Sequence, residues 1–295
     1  MPDPEVTLRA GGDADGGGEA VVVVQGGDLL GLRSWSVDGQ ELLAAPDALP
    51  PEYCVHGRRA GVTLLHPWAN RLGADAFTVA GREVRVPDDE TVSRDAGGLA
   101  IHGLAVPGAW IPEQTGAGGC RVRRVVPATA AFPFAHTVGV VIVLEVGGTV
   151  TVATSLQALS DPLPVAVGWH PYLVPPGPRA EWELRLPACT RLPADAAGLP
   201  TDARVPAAAE RALLGERELD DGFADAGSTT WSAGPVVVEL DAAYTAAQVF
   251  APGDAHVVSL EPMTAPTDAL RTGRGLRVLA PGERLTATFV LRHNR

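Results

Sequence analysis

H-T-V-G-V-V-I-V-L-E-V-G-G-T-V-T-V-A-T-S-L-Q-A-L, residues 136–159, is the stretch whose reading decides the fold. Val, Ile and Thr crowd both halves, and apolar residues recur at every second position. That is the period of a pleated strand with one buried face, and β-branched side chains suit it. Gly147–Gly148 breaks the run, so His136–Val146 and Thr149–Leu159 read as adjacent antiparallel strands joined by a tight turn. Arg121–Val126 precedes them in the same style and extends the pair to a meander.

Working outward, period-two segments bounded by Gly, Pro and Asp recur along the whole chain, while helical periodicity is scarce. Val6–Ala10 and Ala20–Gln25 read as strands flanking a glycine-rich tip at Gly11–Gly18. That tip carries no G-K-[ST] and opens no amphipathic helix, so it reads as a hairpin tip and not a phosphate loop. Leu29–Val37, a hairpin at Phe77–Val86, Trp182–Leu186, Val236–Leu240, Ala246–Ala251 and Val257–Leu260 follow the same pattern. Arg277–Leu279 and Leu285–Arg292 close the chain. Leu192–Glu218 is rich in Pro and Ala and reads as a long surface connection, with a short helix near Ala207–Leu214. No regular repeat appears. The expectation is a single all-β domain over residues 1–295, a large antiparallel β-sandwich and not a propeller.

Composition removes several function classes. With aromatics at 5%, the core must be built mostly of Val, Leu and Ala. The formal net charge of -12 argues against a nucleic-acid partner or an anionic membrane surface. The sequence contains no lysine, which excludes a lysine Schiff base and a P-loop lysine. Cys54, Cys120 and Cys189 are widely spaced with no C-x-x-C pair, so neither a disulfide framework nor a cysteine zinc site is expected. The N-terminal residues lack the pattern of a signal peptide, and Val138–Val146 is far too short to span a bilayer. A soluble cytoplasmic protein is the expectation.

Four segments carry side chains suited to chemistry. V-G-W-H-P-Y-L at 167–173 holds His170 between aromatics, and Pro171 biases it toward an extended backbone. Such an imidazole suits proton transfer to a flat ligand; a buried histidine satisfied by a carbonyl fits the same residues. G-V-T-L-L-H-P-W-A-N-R-L-G at 61–73 ends an apolar strand on Asn70 and Arg71, candidate donors to hydroxyl groups, although Arg71 also reads as an ordinary surface arginine. Gly97–Trp110 sets His102 before Gly103. No H-x-H, H-E-x-x-H or carboxylate at ligand spacing accompanies the histidines, so no metal is expected. In S-L-E-P-M-T at 259–264, Glu261 ends an apolar strand before Pro262, where burial would raise its pKa toward that of a general base. The acidic E-L-D-D-G-F-A-D at 218–225 reads as a solvated turn.

Taken together, P-W-A-N-R-L at 67–72, I-H-G at 101–103, G-W-H-P-Y-L at 168–173 and S-L-E-P-M-T at 259–264 occur in the order found in the aldose 1-epimerase (galactose mutarotase-like) family, which the chain resembles over about two-thirds of its length. The resemblance implies a β-supersandwich with a concave sugar site. It implies His170 as general acid on the ring oxygen and Glu261 as general base on the anomeric hydroxyl. Arg71, His102 and, from L-D-D-G-F, Asp220 become sugar-binding residues, with Asp221 and Asp241 as further candidates and Asn70 beside Arg71. Trp68, Trp110 and Trp169 are expected to pack against the sugar, with Trp169 foremost. The implied partner is a small-molecule sugar and the implied cofactor none; monomer and homodimer stay open. Leu173 replaces an aromatic often found after H-P-Y, which leaves the sugar open. A hexose 6-phosphate 1-epimerase and a non-catalytic sugar-binding protein are the alternatives.

Overall fold

The structure is a computed structural model that describes residues 3–12, 17–45, 49–50 and 61–294. Residues 13–16 of the glycine-rich tip and Cys54 lie outside the described residues. Among them, His136–Leu144 and Val150–Ala158 pair antiparallel from His136↔Ala158 to Leu144↔Val150, and every second residue is buried. The turn between them requires glycine: Gly147 and Gly148 have φ of 88° and 89°. A Cβ on Gly148 would also lie 2.4 Å from a methyl of Val37.

This pair is the centre of a nine-stranded sheet. It runs Glu113–Gly116, Gly119–Val126, His136–Leu144, Val150–Ala158, Arg284–His293, Val236–Leu240, Thr230–Ala233, Glu183–Leu186 and Glu210–Leu213. A second, eleven-stranded sheet runs from Glu5–Gly12 through Gly17–Gln25, Gly31–Val37, Val62–Leu65, Gly168–Pro171, Ser259–Met263, Ala246–Ala251, Leu219–Ala224 and Cys189–Leu192 to Val205–Ala207, with Gln40–Glu41 attached to Gly31–Val37. The core fills the space between the sheets. Two indoles cross it: Trp35 Nε1 donates to Gly148 O at 2.9 Å and Trp169 Nε1 to Thr154 Oγ1 at 3.0 Å. All six tryptophans are buried, which is how a chain poor in aromatics fills so large a core.

Two expectations are corrected here. The Ala207–Leu214 region is not helical: Val205–Ala207 and Glu210–Leu213 are strands, one added to the edge of each sheet. Alanine favours helix locally, but pairing with the open edges of Cys189–Leu192 and Glu183–Leu186 overrides that preference. The acidic segment is not a solvated turn either. Leu219–Ala224 is an interior strand whose alternation sends Asp220 and Asp221 to opposite faces.

A buried histidine pair lies between the sheets' connections. His136 Nδ1 is 2.7 Å from Phe134 O, so it donates and leaves Nε2 as an acceptor. His66 Nε2 then donates to it across 2.8 Å.

Candidate functional site

The site is laid out by strand register. Gly168 pairs with Met263 and Leu173 with Val258, one continuous antiparallel register, so His170 lies opposite Glu261 and Tyr172 opposite Ser259. On the next two strands Gln248 pairs with Glu261 and Gly222 with Gln248, while Phe250 pairs with Ser259 and Asp220 with Phe250. Two adjacent cross-strand rows result on one face of the sheet: His170, Glu261, Gln248, Gly222, and beside it Tyr172, Ser259, Phe250, Asp220. Gly168 makes the close strand approach possible, because a Cβ there would sit 2.8 Å from Pro262 O and 2.9 Å from Ala69 Cβ.

Within these rows His170 Nε2 is 3.4 Å from Glu261 Oε1. Ser259 Oγ is 3.4 Å from His170 Nδ1, and the imidazole stacks on Tyr172 with ring centroids 4.2 Å apart. Gln248 Nε2 donates to Asp220 Oδ1 at 2.6 Å. Glu261 Oε2 is buried without a hydrogen-bond partner.

Opposite the sheet, two chain segments supply a second wall. His102 N donates to Asn70 O and Leu72 N to Ala100 O, pairing 70–72 with 100–102 around Arg71↔Ile101. Arg71 Nε donates to Asp95 Oδ2 at 2.7 Å, and its Nη2 lies 3.5 Å from Asp220 Oδ2. Its backbone N–H donates to Asn70 Oδ1 at 2.8 Å. The His102 ring meets His170 edge to face with centroids 5.2 Å apart.

Together these groups line a cavity of about 400 Å³ with Arg94, Ala96 and Ile101, a volume within the range of small-molecule sites. The structure thus gathers Asn70, Arg71, His102, His170, Asp220 and Glu261 into one pocket. It does not gather the tryptophans. Trp169 lies on the opposite side of its strand from His170 and is held by Thr154 of the other sheet, because successive strand residues face opposite ways. Trp68 and Trp110 are core residues as well. Asp221 pairs with Arg191 on the far face, and Asp241 accepts the backbone N–H groups of Ala243 and Thr288, so neither reaches the pocket. The apolar walls missed from sequence are Tyr172, Phe250 and Ile101. Tyr172 was within reach of reasoning, since it stands two residues from His170 and therefore on the same face.

Burial governs the electrostatics. Desolvation pulls the His170 imidazole down to about 3. It pushes Glu261 well above the usual carboxylate range, reinforced by the Asp220 charge and opposed by Arg71. Both shifts act in the direction of the uncharged forms, a neutral His170 beside a protonated Glu261. Among the described residues no group of three or more His, Cys, Asp or Glu side chains is set to hold a metal ion.

The chain belongs to the aldose 1-epimerase family, whose sequence model matches residues 12–292. The Slr1438 protein of Synechocystis sp. PCC 6803 shares the fold with a TM-score of 0.74 at 22% identity, over 99% of this chain and 96% of that one. A galactose mutarotase-like protein from Clostridium acetobutylicum gives a TM-score of 0.74 at 18% identity, over 98% and 95%. At such identities the likeness is one of fold. The uncharacterized protein YihR of Escherichia coli (strain K12) is 29% identical over 111 residues, 37% of this chain. The matched part is 35% of that curated relative's length.

Proposed function

We propose that this protein is an aldose 1-epimerase that interconverts the α and β anomers of a free, uncharged aldose, with His170 as general acid and Glu261 as general base. The observation that carries the reading is the 3.4 Å separation of His170 Nε2 and Glu261 Oε1 in one buried cross-strand row. Ring opening needs a proton taken from the C1 hydroxyl and another delivered to the ring oxygen, two oxygens bonded to one carbon. An acid and a base set this close can serve both.

Starting from a neutral His170 and a protonated Glu261, the direction that burial favours, the cycle is neutral overall. On sugar binding, hydroxyl donors stabilise the carboxylate, and the Glu261 proton passes to His170 Nε2. Glu261 then accepts the anomeric proton while His170 protonates the ring oxygen, and the C1–ring oxygen bond breaks to give the open-chain aldehyde. The pair ends as it began, with Glu261 protonated and His170 neutral. Rotation about C1–C2 and reversal of the steps close the other anomer. Arg71, Asn70, His102 and Asp220 hold ring hydroxyls, and the faces of Tyr172 and Phe250 replace the tryptophans as apolar surface.

Charge balance supports an unphosphorylated substrate over a hexose 6-phosphate. Arg71 is met by Asp95 and Asp220, and Arg94 by Asp75 and Asp88, so both guanidiniums lining the pocket are already committed to carboxylates. Polarimetry of freshly dissolved α-D-glucose and α-D-galactose tests the proposal. Acceleration by the wild type that disappears in Glu261→Gln and His170→Asn, with folding intact, supports it. A wild type inert on both free sugars but active on glucose 6-phosphate overturns the uncharged-substrate reading, and one inert on all three overturns the epimerase in favour of a binding protein.

A further inference from the structure

Two loops of one pattern meet at Arg71. Asp95–Leu99 reads D-A-G-G-L and Asp195–Leu199 reads D-A-A-G-L. In the first, Asp95 N donates to Leu99 O, Gly98 N to Asp95 O, and Asp95 Oδ1 accepts the N–H groups of Gly97 and Leu99. In the second, Asp195 N donates to Leu199 O, Gly198 N to Asp195 O, and Asp195 Oδ1 accepts those of Ala197 and Leu199. Gly98 and Gly198 both hold positive φ, 83° and 75°. The flanking pairs also correspond, Arg94↔Ala100 and Ala194↔Pro200. Each loop is therefore a rigid hairpin end, with Asp capping the turn and Gly taking the left-handed position.

The loops reach the same guanidinium in different ways. Asp95 has Oδ1 occupied by its own loop, and its Oδ2 accepts Arg71 Nε at 2.7 Å. Gly198 approaches so closely that a Cβ there would lie 2.9 Å from Arg71 Nη1 and 3.0 Å from Cζ and Nε. A long arginine side chain loses much rotamer freedom when fixed, and a pocket that must align one sugar carbon needs that loss met before the sugar arrives.

We propose that Asp95 and Gly198 are positioning residues that clamp Arg71 from two sides, fixing its Nη groups toward the pocket; this rests on the reading of Arg71 as a sugar-binding residue. The clamp is tested first without substrate. In protein labelled with ¹⁵N-arginine, the Arg71 Nε–H signal, assigned by its loss in Arg71→Lys, exchanges slowly with water in the wild type. It exchanges fast in Asp95→Asn and in Gly198→Ala. Equal exchange rates in wild type and Asp95→Asn overturn the clamp, whatever the activity.

Its consequence is read by polarimetry with α-D-galactose and α-D-glucose, with melting curves as the folding control. Asp95→Asn raises KM on the order of tenfold with kcat nearly unchanged. In an Arg71→Lys background, which keeps the charge and lacks the Nε–H, the same substitution adds little further. An equal rise in both backgrounds overturns the positioning role, because Asp95 then acts independently of Arg71. A wild type inactive on both sugars with a slowly exchanging Arg71 Nε–H leaves the clamp standing and removes the proposed activity instead.

Discussion

The backbone N–H of Asn70 donates to Nδ1 of His102 over 3.3 Å, and both residues hold the left-handed conformation, with φ of 57° and 63°. A neutral imidazole whose Nδ1 accepts carries its hydrogen on Nε2. The pairing therefore fixes His102 as a donor. His102→Ala is expected to raise KM on the order of tenfold with a smaller change in kcat, the signature of a lost ground-state hydrogen bond. A loss confined to kcat would refute that role.

The conformation of Asn70 makes a separate prediction about stability. Asn tolerates positive φ and Gly adopts it freely, whereas an alanine is strained there by roughly 1 kcal/mol. Asn70→Gly should melt above Asn70→Ala, while both lose the amide beside Arg71 and both weaken sugar binding. Equal melting temperatures would remove the strain argument.

Acid should destabilise the fold. Burial pulls His66 well below its ordinary value, His136 to about 4 and His170 to about 3. In the unfolded chain each regains a pKa near 6.5, so between that value and about pH 4 unfolding takes up protons and stability falls as pH falls. Glu261 works in the opposite sense. Its folded pKa is raised, so it favours the fold below about pH 4.3 and costs stability as pH rises above that. Three histidines outweigh one carboxylate, so stability is expected to rise with pH between about pH 4.5 and 6.5, most steeply at the acid end. Denaturant titrations at pH 5 and 6 measure it directly, and a flat profile would contradict the burial of the three imidazoles.

Catalysis should ignore the same pH range. Because burial holds His170 neutral and raises Glu261, kcat/KM is expected to show no acid limb near pH 6.5, where a solvated histidine would titrate, and an alkaline limb reports Glu261 losing its proton. An acid limb at that pH would mean that an imidazole of the pocket titrates in contact with water in the free protein.

Trp169→Phe separates the core from the pocket. It removes the indole N–H to Thr154 and part of the packing between the sheets, at a cost of about 1–3 kcal/mol. KM and kcat should stay near wild type, as Trp169 faces away from the cavity. A raised KM with unchanged stability would restore the tryptophan to the site.

The strands of 136–159 were legible because one face is buried and the other is not, which writes itself as period two. Residues 205–213 were not, since both strands lie on sheet edges where few side chains are buried and alanine carries the opposite local preference. The motif residues of the pocket could be named in advance, but their grouping depends on register. Nothing local to V-G-W-H-P-Y-L states that its histidine will face Glu261 while its tryptophan faces Thr154. The acidic L-D-D-G-F was misjudged for the same reason: alternation distributes Asp220 and Asp221 to opposite faces, and only pairing with Phe250 and Val249 shows which one meets the cavity.

The proposed reacting pair stands on neighbouring strands deep in an eleven-stranded sheet, whereas Asn70, Arg71, Asp95 and His102 come from the segments that arch over it. A shift of the strands would slide whole rows out of register, but a hairpin end can be exchanged without disturbing a ladder. In this architecture the proposed proton-transfer pair, together with Asp220, is set by the ladder, while the wall that faces it can change without moving that pair.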